Sequence, residues 1–198
     1  MNLNRFLCIA GQGAARRLAV GLLLTTAGVL GASAATAASK VEQPIEFPHD
    51  THAGKMGINC LYCHTYARRS AVSGIPPLQK CMGCHQNIES VKDRPRIKQL
   101  FEYWEKKEPI PWKKVHDLPE FVRFSHERHV QRFYFKQERP IQEACMPCHG
   151  DVKGMTVAEK VQPLSMGWCV SCHEQDHRID NVSAKTSNGP NDCWQCHK

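Results

Sequence analysis

CLYCH at residues 60–64 is the first of five copies of one motif, C-x-x-C-H. The other copies are CMGCH at 81–85, CMPCH at 145–149, CVSCH at 169–173 and CWQCH at 193–197. Two thiols at this spacing can form thioethers with the two vinyl groups on one porphyrin edge. The histidine that follows is then placed to bind the iron. The motif therefore predicts covalent attachment of c-type haem.

Other uses of a C-x-x-C pair include half a zinc ribbon, a redox pair and a disulfide. None of these needs histidine at the next position. Because only 11 of the 198 residues are histidine, coincidence cannot place one after all five pairs. The sequence predicts five covalent haems. The predicted attachment cysteines are Cys60, Cys63, Cys81, Cys84, Cys145, Cys148, Cys169, Cys172, Cys193 and Cys196. The predicted proximal iron ligands are His64, His85, His149, His173 and His197.

The first 39 residues are expected to be either a signal peptide or an N-terminal membrane anchor. Arg16 and Arg17 precede an apolar run over 18–30, and small residues with Ala-x-Ala patterns follow. The run over 18–38 is also long enough to span a bilayer if it stays uncut. In both cases the arginine pair keeps the start inside the cell. The rest of the chain is therefore predicted to be exported.

Residues 40–198 are predicted to form one pentahaem domain whose core is mostly porphyrin. Five haems share so short a segment that an ordinary apolar core around each is excluded. The expected fold is mostly α and irregular, with short helices and loops, plus one N-terminal apolar helix. The formal charge of +7 does not indicate a nucleic-acid partner, since haem propionates offset it and no basic–aromatic pattern accompanies it.

A second pattern, F-x-H-x-x-H, occurs at 47–52 and again at 124–129. Each copy is followed by two C-x-x-C-H motifs, which predicts duplicated dihaem modules at about 45–90 and 122–178 and a fifth haem at about 179–198. Histidines at i and i+3 lie on one side of a helical turn, so they cannot take opposite faces of one iron. The predicted distal ligands, each pair serving two different haems, are His49, His52, His126 and His129.

The fifth distal ligand stays open among three residues. His116 and His177 are the histidines that remain after four distal and five proximal ligands are assigned. Met166 is the best-placed methionine, although a methionine in such a chain more often packs than binds iron.

The long segment without a motif, residues 86–123, is predicted to contain an amphipathic helix. Ile97, Leu100, Phe101 and Trp104 have the spacing of one helical face, Pro95 suits the start, and Pro109 stops the helix. This helix is expected either to pack on the haem core or to dock a partner.

The sequence contains enough spare histidines to close every iron, and it lacks a nucleotide loop, a nucleophile elbow and a paired-carboxylate signature. Electron transfer is therefore the leading functional hypothesis, and a small-molecule reductase is the second. No catalytic residues are predicted.

The F-x-H-x-x-H frames resemble the multihaem class III cytochrome c family. Several stretches are similar to the pentahaem cytochrome c subunit of alternative complex III: 47–52, YARRS at 66–70 with IPP at 75–77, VHDLP at 115–119 running into 124–129, and 164–173. The resemblance implies an electron-relay subunit of a quinol-oxidising membrane complex on the periplasmic side of the cytoplasmic membrane. The electrons would go to a periplasmic cytochrome c or to an oxidase.

The implied partners are an iron–sulfur or molybdopterin-like subunit, integral-membrane quinol-oxidising subunits and a monohaem cytochrome c. The alternatives are an electron-transfer subunit of a periplasmic molybdenum or iron–sulfur reductase and a free periplasmic carrier.

Overall fold

The computed structural model describes residues 41–180 and 189–198. Both the predicted leader over 1–39 and its apolar helix lie outside the described residues. Within the described ranges, no helix is both long and apolar enough to cross a membrane.

The described residues form short helical segments joined by irregular chain. The α-helices are α1 (Cys60–Cys63), α2 (Leu78–His85), α3 (Pro95–Lys106), α4 (His126–Val130), α5 (Ile141–His149), α6 (Met166–Asp180) and α7 (Cys193–Cys196). Two π-helical turns span Asp50–Lys55 and Gln131–Lys136, and three 3₁₀ turns span Thr65–Arg68, Glu89–Val91 and Val152–Gly154. In the part of the chain that is described, β-pairing is limited to one isolated antiparallel bridge between Val122 and His197. The predicted mostly helical and irregular fold is confirmed.

Three of the short helices begin at a side-chain cap. The Asn59 side chain accepts a hydrogen bond from the Leu61 amide at the start of α1, and Ser125 accepts one from Arg128 at the start of α4. Asp192 accepts one from the Gln195 amide at the start of α7. Caps of this kind satisfy amides that a first turn leaves without a partner. They let helices as short as one turn begin at a defined residue.

Apolar burial is sparse, and the described part of the chain buries only eight apolar side chains. They are Ile45, Ala67, Met82, Leu100, Val130, Ile141, Ala144 and Val157. Met82, inside the second motif, is the most buried, with 1% of its surface exposed. So small a set cannot stabilise a domain of this size by itself.

The amphipathic helix predicted in the 86–123 segment is α3. Pro95 is its first residue, and Lys107 ends it in a left-handed conformation with φ 57°. Leu100 is buried in a cluster with Met82 and Ile45, and Trp104 packs against this cluster. Of the two expectations for this helix, packing on the motif-bearing part of the chain is the one observed.

Substituting Leu100→Ala should remove the side chain that joins α3 to α2. Truncating a buried leucine costs about 2–5 kcal/mol, because transfer energy is lost and a cavity remains. We expect the α3 amides to exchange hydrogen faster, on the order of 30-fold or more, by mass spectrometry. The exposed Lys98→Ala on the same helix is the matched control and should leave exchange unchanged. Equal exchange in the two variants would contradict this packing role.

The two halves of the domain pack on each other reciprocally. The first π-helical turn packs on the 3₁₀ turn Val152–Gly154, and the Asp50 amide donates to the Met155 carbonyl at 2.9 Å. In the opposite sense, the His126 and Glu127 amides of α4 each donate at 3.1 Å, to the carbonyls of Ala71 and Ser70. Each F-x-H-x-x-H frame therefore packs on the segment that follows the first motif of the other half.

Candidate haem-binding sites

All five C-x-x-C-H motifs lie on a helical turn. Because cysteines at i and i+3 share one side of a helix, each motif presents both of its thiols on the same face. The ten motif cysteines form no disulfide with one another. We number the sites 1 to 5 by their motifs. In the described residues, histidine, cysteine and carboxylate side chains form no cluster of three or more that could hold a bare metal ion.

Five imidazoles are fixed in one tautomer by backbone carbonyls. Because a carbonyl only accepts hydrogen bonds, each Nδ1 carries the proton and the Nε2 lone pair stays available for a metal. The Nδ1–O distances are 2.9 Å for His52 to Pro48, 2.8 Å for His64 to Gly74, 2.8 Å for His126 to Ala71, 2.7 Å for His129 to Ser125 and 2.7 Å for His173 to Pro190.

In three histidine pairs, the distance between the two rings is the one expected when two imidazoles bind a single iron from opposite sides. The ring centroids lie 6.0 Å apart for His52 and His85, 6.3 Å for His126 and His149, and 6.2 Å for His129 and His173. Two metal–nitrogen bonds of about 2 Å, together with the two ring radii, give roughly 6 Å. Each pair joins a predicted distal ligand to a predicted proximal one. These residues therefore fit bis-histidine haem at sites 2, 3 and 4.

The phenylalanine of each frame holds both of its histidines, and the geometry is the same in the two copies. Phe47 stacks on His52 at 4.5 Å and meets His49 edge-on at 4.8 Å. Phe124 stacks on His129 at 4.6 Å and meets His126 edge-on at 4.8 Å. The sequence frame therefore encodes a repeated local structure.

His49 lies among the histidines of sites 1 and 2. Burial, followed by the positive charges of His64 and His52, lowers the pKa of His49 to about 4. Burial and the neighbouring histidines, with His116 first among them, lower the pKa of His149 to about 3. Both imidazoles are therefore neutral at pH 7, which is the form that binds a metal.

The three candidates for the fifth distal ligand are in different places. His116 lies beside His149, with ring centroids 4.3 Å apart, which is too close for an iron between them, and its Nε2 is buried without a hydrogen-bond partner. Met166 is the first residue of α6 and is 69% exposed. The side chain of His177 lies outside the described residues.

Phe121, which sequence reasoning missed, lies beside the proximal histidine of site 5. Its ring is nearly parallel to that of His197 at 5.8 Å, with an interplanar angle of 19°. The Arg123 amide donates a hydrogen bond to the Cys196 carbonyl, and the Lys198 amide donates one to the Phe121 carbonyl. Residues 121–123 are therefore paired with residues 196–198.

The carbonyl acceptors for His64 and His173 were also not assigned from sequence. Each belongs to a segment with glycine and proline: Gly74 begins GIPP, and Pro190 ends a Gly-Pro pair. In both cases the segment lies after the motif whose histidine it orients and before the next motif. A segment with glycine and proline between two motifs is the sequence signal that could have identified these carbonyl acceptors.

Comparison with models of protein families matches part of the chain. A model of the class III cytochrome c family matches residues 28–110, which contain the first frame, sites 1 and 2, and α3. A search of curated proteins found no match. The matched family implies a multihaem cytochrome that transfers electrons through covalently attached c-type haem.

Proposed function

We propose that this chain is a pentahaem electron-transfer cytochrome in which paired histidines close the irons of sites 1 to 4. The observation that carries the proposal is the set of three opposed histidine pairs at 6.0–6.3 Å. Each c-type haem, when bound, supplies one reversible one-electron couple. Two imidazoles on an iron leave no position for a substrate, so the residues of these sites favour relay over catalysis.

The family match and the repeated frames support bis-histidine ligation at site 1 as well. By the repeat, His49 corresponds to His126 and His64 to His149. His64 is the first charged group that acts on His49. We therefore assign His49 as the distal partner of His64.

Contacts between the motifs support a linear order of sites 2–1–3–4–5. Burial raises the pKa of Cys81, and the Cys63 thiol is close enough to raise it further. Sites 2 and 1 are therefore neighbours. Helices α1 and α5 are in contact, and the Cys60 and Cys145 side chains are close enough for each to shift the pKa of the other, downward for Cys60 and upward for Cys145, so sites 1 and 3 are neighbours.

The second half continues the same order. His126 and His129, one turn apart on α4, face the proximal histidines of sites 3 and 4. The His173 Nδ1 donates to the Pro190 carbonyl just before the fifth motif, which joins sites 4 and 5. The relay would therefore begin and end at sites 2 and 5.

Within this role, we propose that the chain works at the periplasmic side of the cytoplasmic membrane as a subunit of a quinol-oxidising complex of the alternative complex III type. Similarity of 47–52, 66–70, 115–119 and 164–173 to that subunit supports this assignment. The partners would be an iron–sulfur or molybdopterin-like subunit, quinol-oxidising membrane subunits and a monohaem cytochrome c. Affinity purification from detergent-solubilised membranes of the native host tests it. Recovery of the chain only from the soluble periplasm, without partners, would favour a free carrier.

The haem count has its own test. The intact mass of the mature protein should exceed that of its polypeptide by five haem masses, because each of the five motifs carries both thiols and a histidine. The variant Cys193→Ala/Cys196→Ala should lose one haem mass and keep four. A wild-type mass corresponding to four haems or fewer would contradict the pentahaem assignment.

A further inference from the structure

The ion pair between Arg132 and Asp176 is largely buried. The two side chains are 14% and 16% exposed. The Arg132 Nη2 donates to Asp176 Oδ1 at 2.8 Å, and Nε donates to both carboxylate oxygens at 3.1 Å. Bidentate ion pairs of this kind fix the relative position of the two side chains more tightly than a single contact between charged groups does.

This ion pair lies next to the opposed rings of site 4. Arg132 follows His129 by three residues, and Asp176 follows His173 by three residues on α6. Residues three apart share one side of a helical turn, so two i, i+3 pairs face each other across the site. The histidine rings are 6.2 Å apart, and the Asp176 charge acts on His129. One element supplies the predicted distal ligand, the other the proximal one, and the ion pair connects them.

At the corresponding place in the first half, no ion pair in the described part of the chain connects the two ligand-bearing elements. Lys55 follows His52 by three residues, but its carboxylate partner is Asp50 on the same π-helical turn, at 3.6 Å. Lys55 is 75% exposed, so this pair is solvated and joins no second element. Ile88, three residues after His85, stands where the second half has Asp176, so the duplication has diverged at both positions, which distinguishes site 4 from site 2.

We propose that Arg132 and Asp176 are positioning residues for the haem of site 4: they clamp its two ligand-bearing elements together and set its reduction potential by balancing a buried carboxylate against a buried guanidinium. This inference rests on the proposed haem relay. Ferric iron carries one more positive charge than ferrous iron. A negative charge beside the iron therefore favours the ferric state, and a positive charge favours the ferrous state.

The test is a spectroelectrochemical titration of the holoprotein with opposite charge removals. Asp176→Asn removes a negative charge and should raise one of the five midpoint potentials. Arg132→Gln removes a positive charge and should lower the same potential. A unit charge about 10 Å away at an effective dielectric of about 20 changes the ferric-to-ferrous ratio roughly tenfold. For a one-electron couple this is about 59 mV.

Two further variants separate charge from general damage. The double variant Arg132→Gln/Asp176→Asn removes both charges and should return the potential towards that of the wild type. Asp93→Asn makes the same chemical change in the exposed pair with Lys98 and should shift nothing.

The outcomes are distinguishable from a failure of the proposed relay. If the wild-type chain binds no c-type haem, the proposed function itself is wrong. If it binds haem but both single variants shift one potential in the same direction, or shift none, the relay survives and the clamp is refuted. If both variants instead convert one haem to the high-spin form without opposite shifts, the pair supports the fold but does not set the potential, which also overturns the inference.

Discussion

Substituting His129→Ala should open one iron. In the wild type the His129 ring faces His173 at 6.2 Å, is stacked by Phe124 at 4.6 Å and is fixed by the Ser125 carbonyl at 2.7 Å. Alanine has no side-chain atom that can bind iron. Among the described residues, no other histidine ring lies near that of His173. The iron of site 4 should therefore lose its sixth ligand and become high-spin. The reduced variant should bind one more carbon monoxide per chain than the wild type.

The measurement is a carbon monoxide titration followed by visible spectroscopy. The exposed neighbour Arg128→Ala, on the same short helix, is the matched control and should bind no more than the wild type. The haem mass should stay unchanged in both variants, since attachment depends on the cysteines. Identical titrations for His129→Ala and Arg128→Ala would show that His129 is not a ligand. A second variant, His126→Ala, should open a different site if the two histidines of this frame serve two irons.

Features that depend on short sequence separation could be predicted. The C-x-x-C-H motifs, the F-x-H-x-x-H frames and α3 all fit within about four turns of helix, and their periodicities directly determine which side chains share a face. α3 begins at Pro95 and ends before Pro109, as expected. The family match over 28–110 independently supports the class of protein.

Contacts between distant segments could not be predicted. Arg132 and Asp176 are 44 residues apart, and neither belongs to a recognisable motif. His116 is 33 residues before His149, and composition alone gives no reason to place it there rather than at site 5. Such pairings depend on how the halves close around each other, which periodicity does not encode. The four distal histidines, by contrast, could be predicted because the pattern containing them is repeated.

The reciprocal packing of the halves has a consequence that the family match would not suggest. The match ends at residue 110, as if the first half were a unit of its own. In the structure, however, the first frame packs on residues 152–155. A Cβ added at Gly54 would lie 2.6 Å from the Lys153 carbonyl oxygen, so the two backbones are in close contact. Helix α1, which carries Cys60, is in contact with α5 of the other half, which carries Cys145. Without the second half, these groups would be exposed to water.

We therefore expect residues 1–114, produced with the cytochrome c maturation machinery, to fail to form a stable dihaem protein. The fragment keeps the first frame, sites 1 and 2, and α3, but it loses the turn that covers the first π-helical segment. So few apolar side chains are buried that the loss of one interface should leave too little stabilisation. Limited proteolysis followed by haem staining should show rapid degradation of the fragment, whereas the full chain resists. Co-production of residues 115–198 behind the same leader is the control and should restore resistance, because only the covalent connection is then missing. A protease-resistant fragment with two low-spin haems and no partner half would show that the modules are independent and that the contacts between them are incidental.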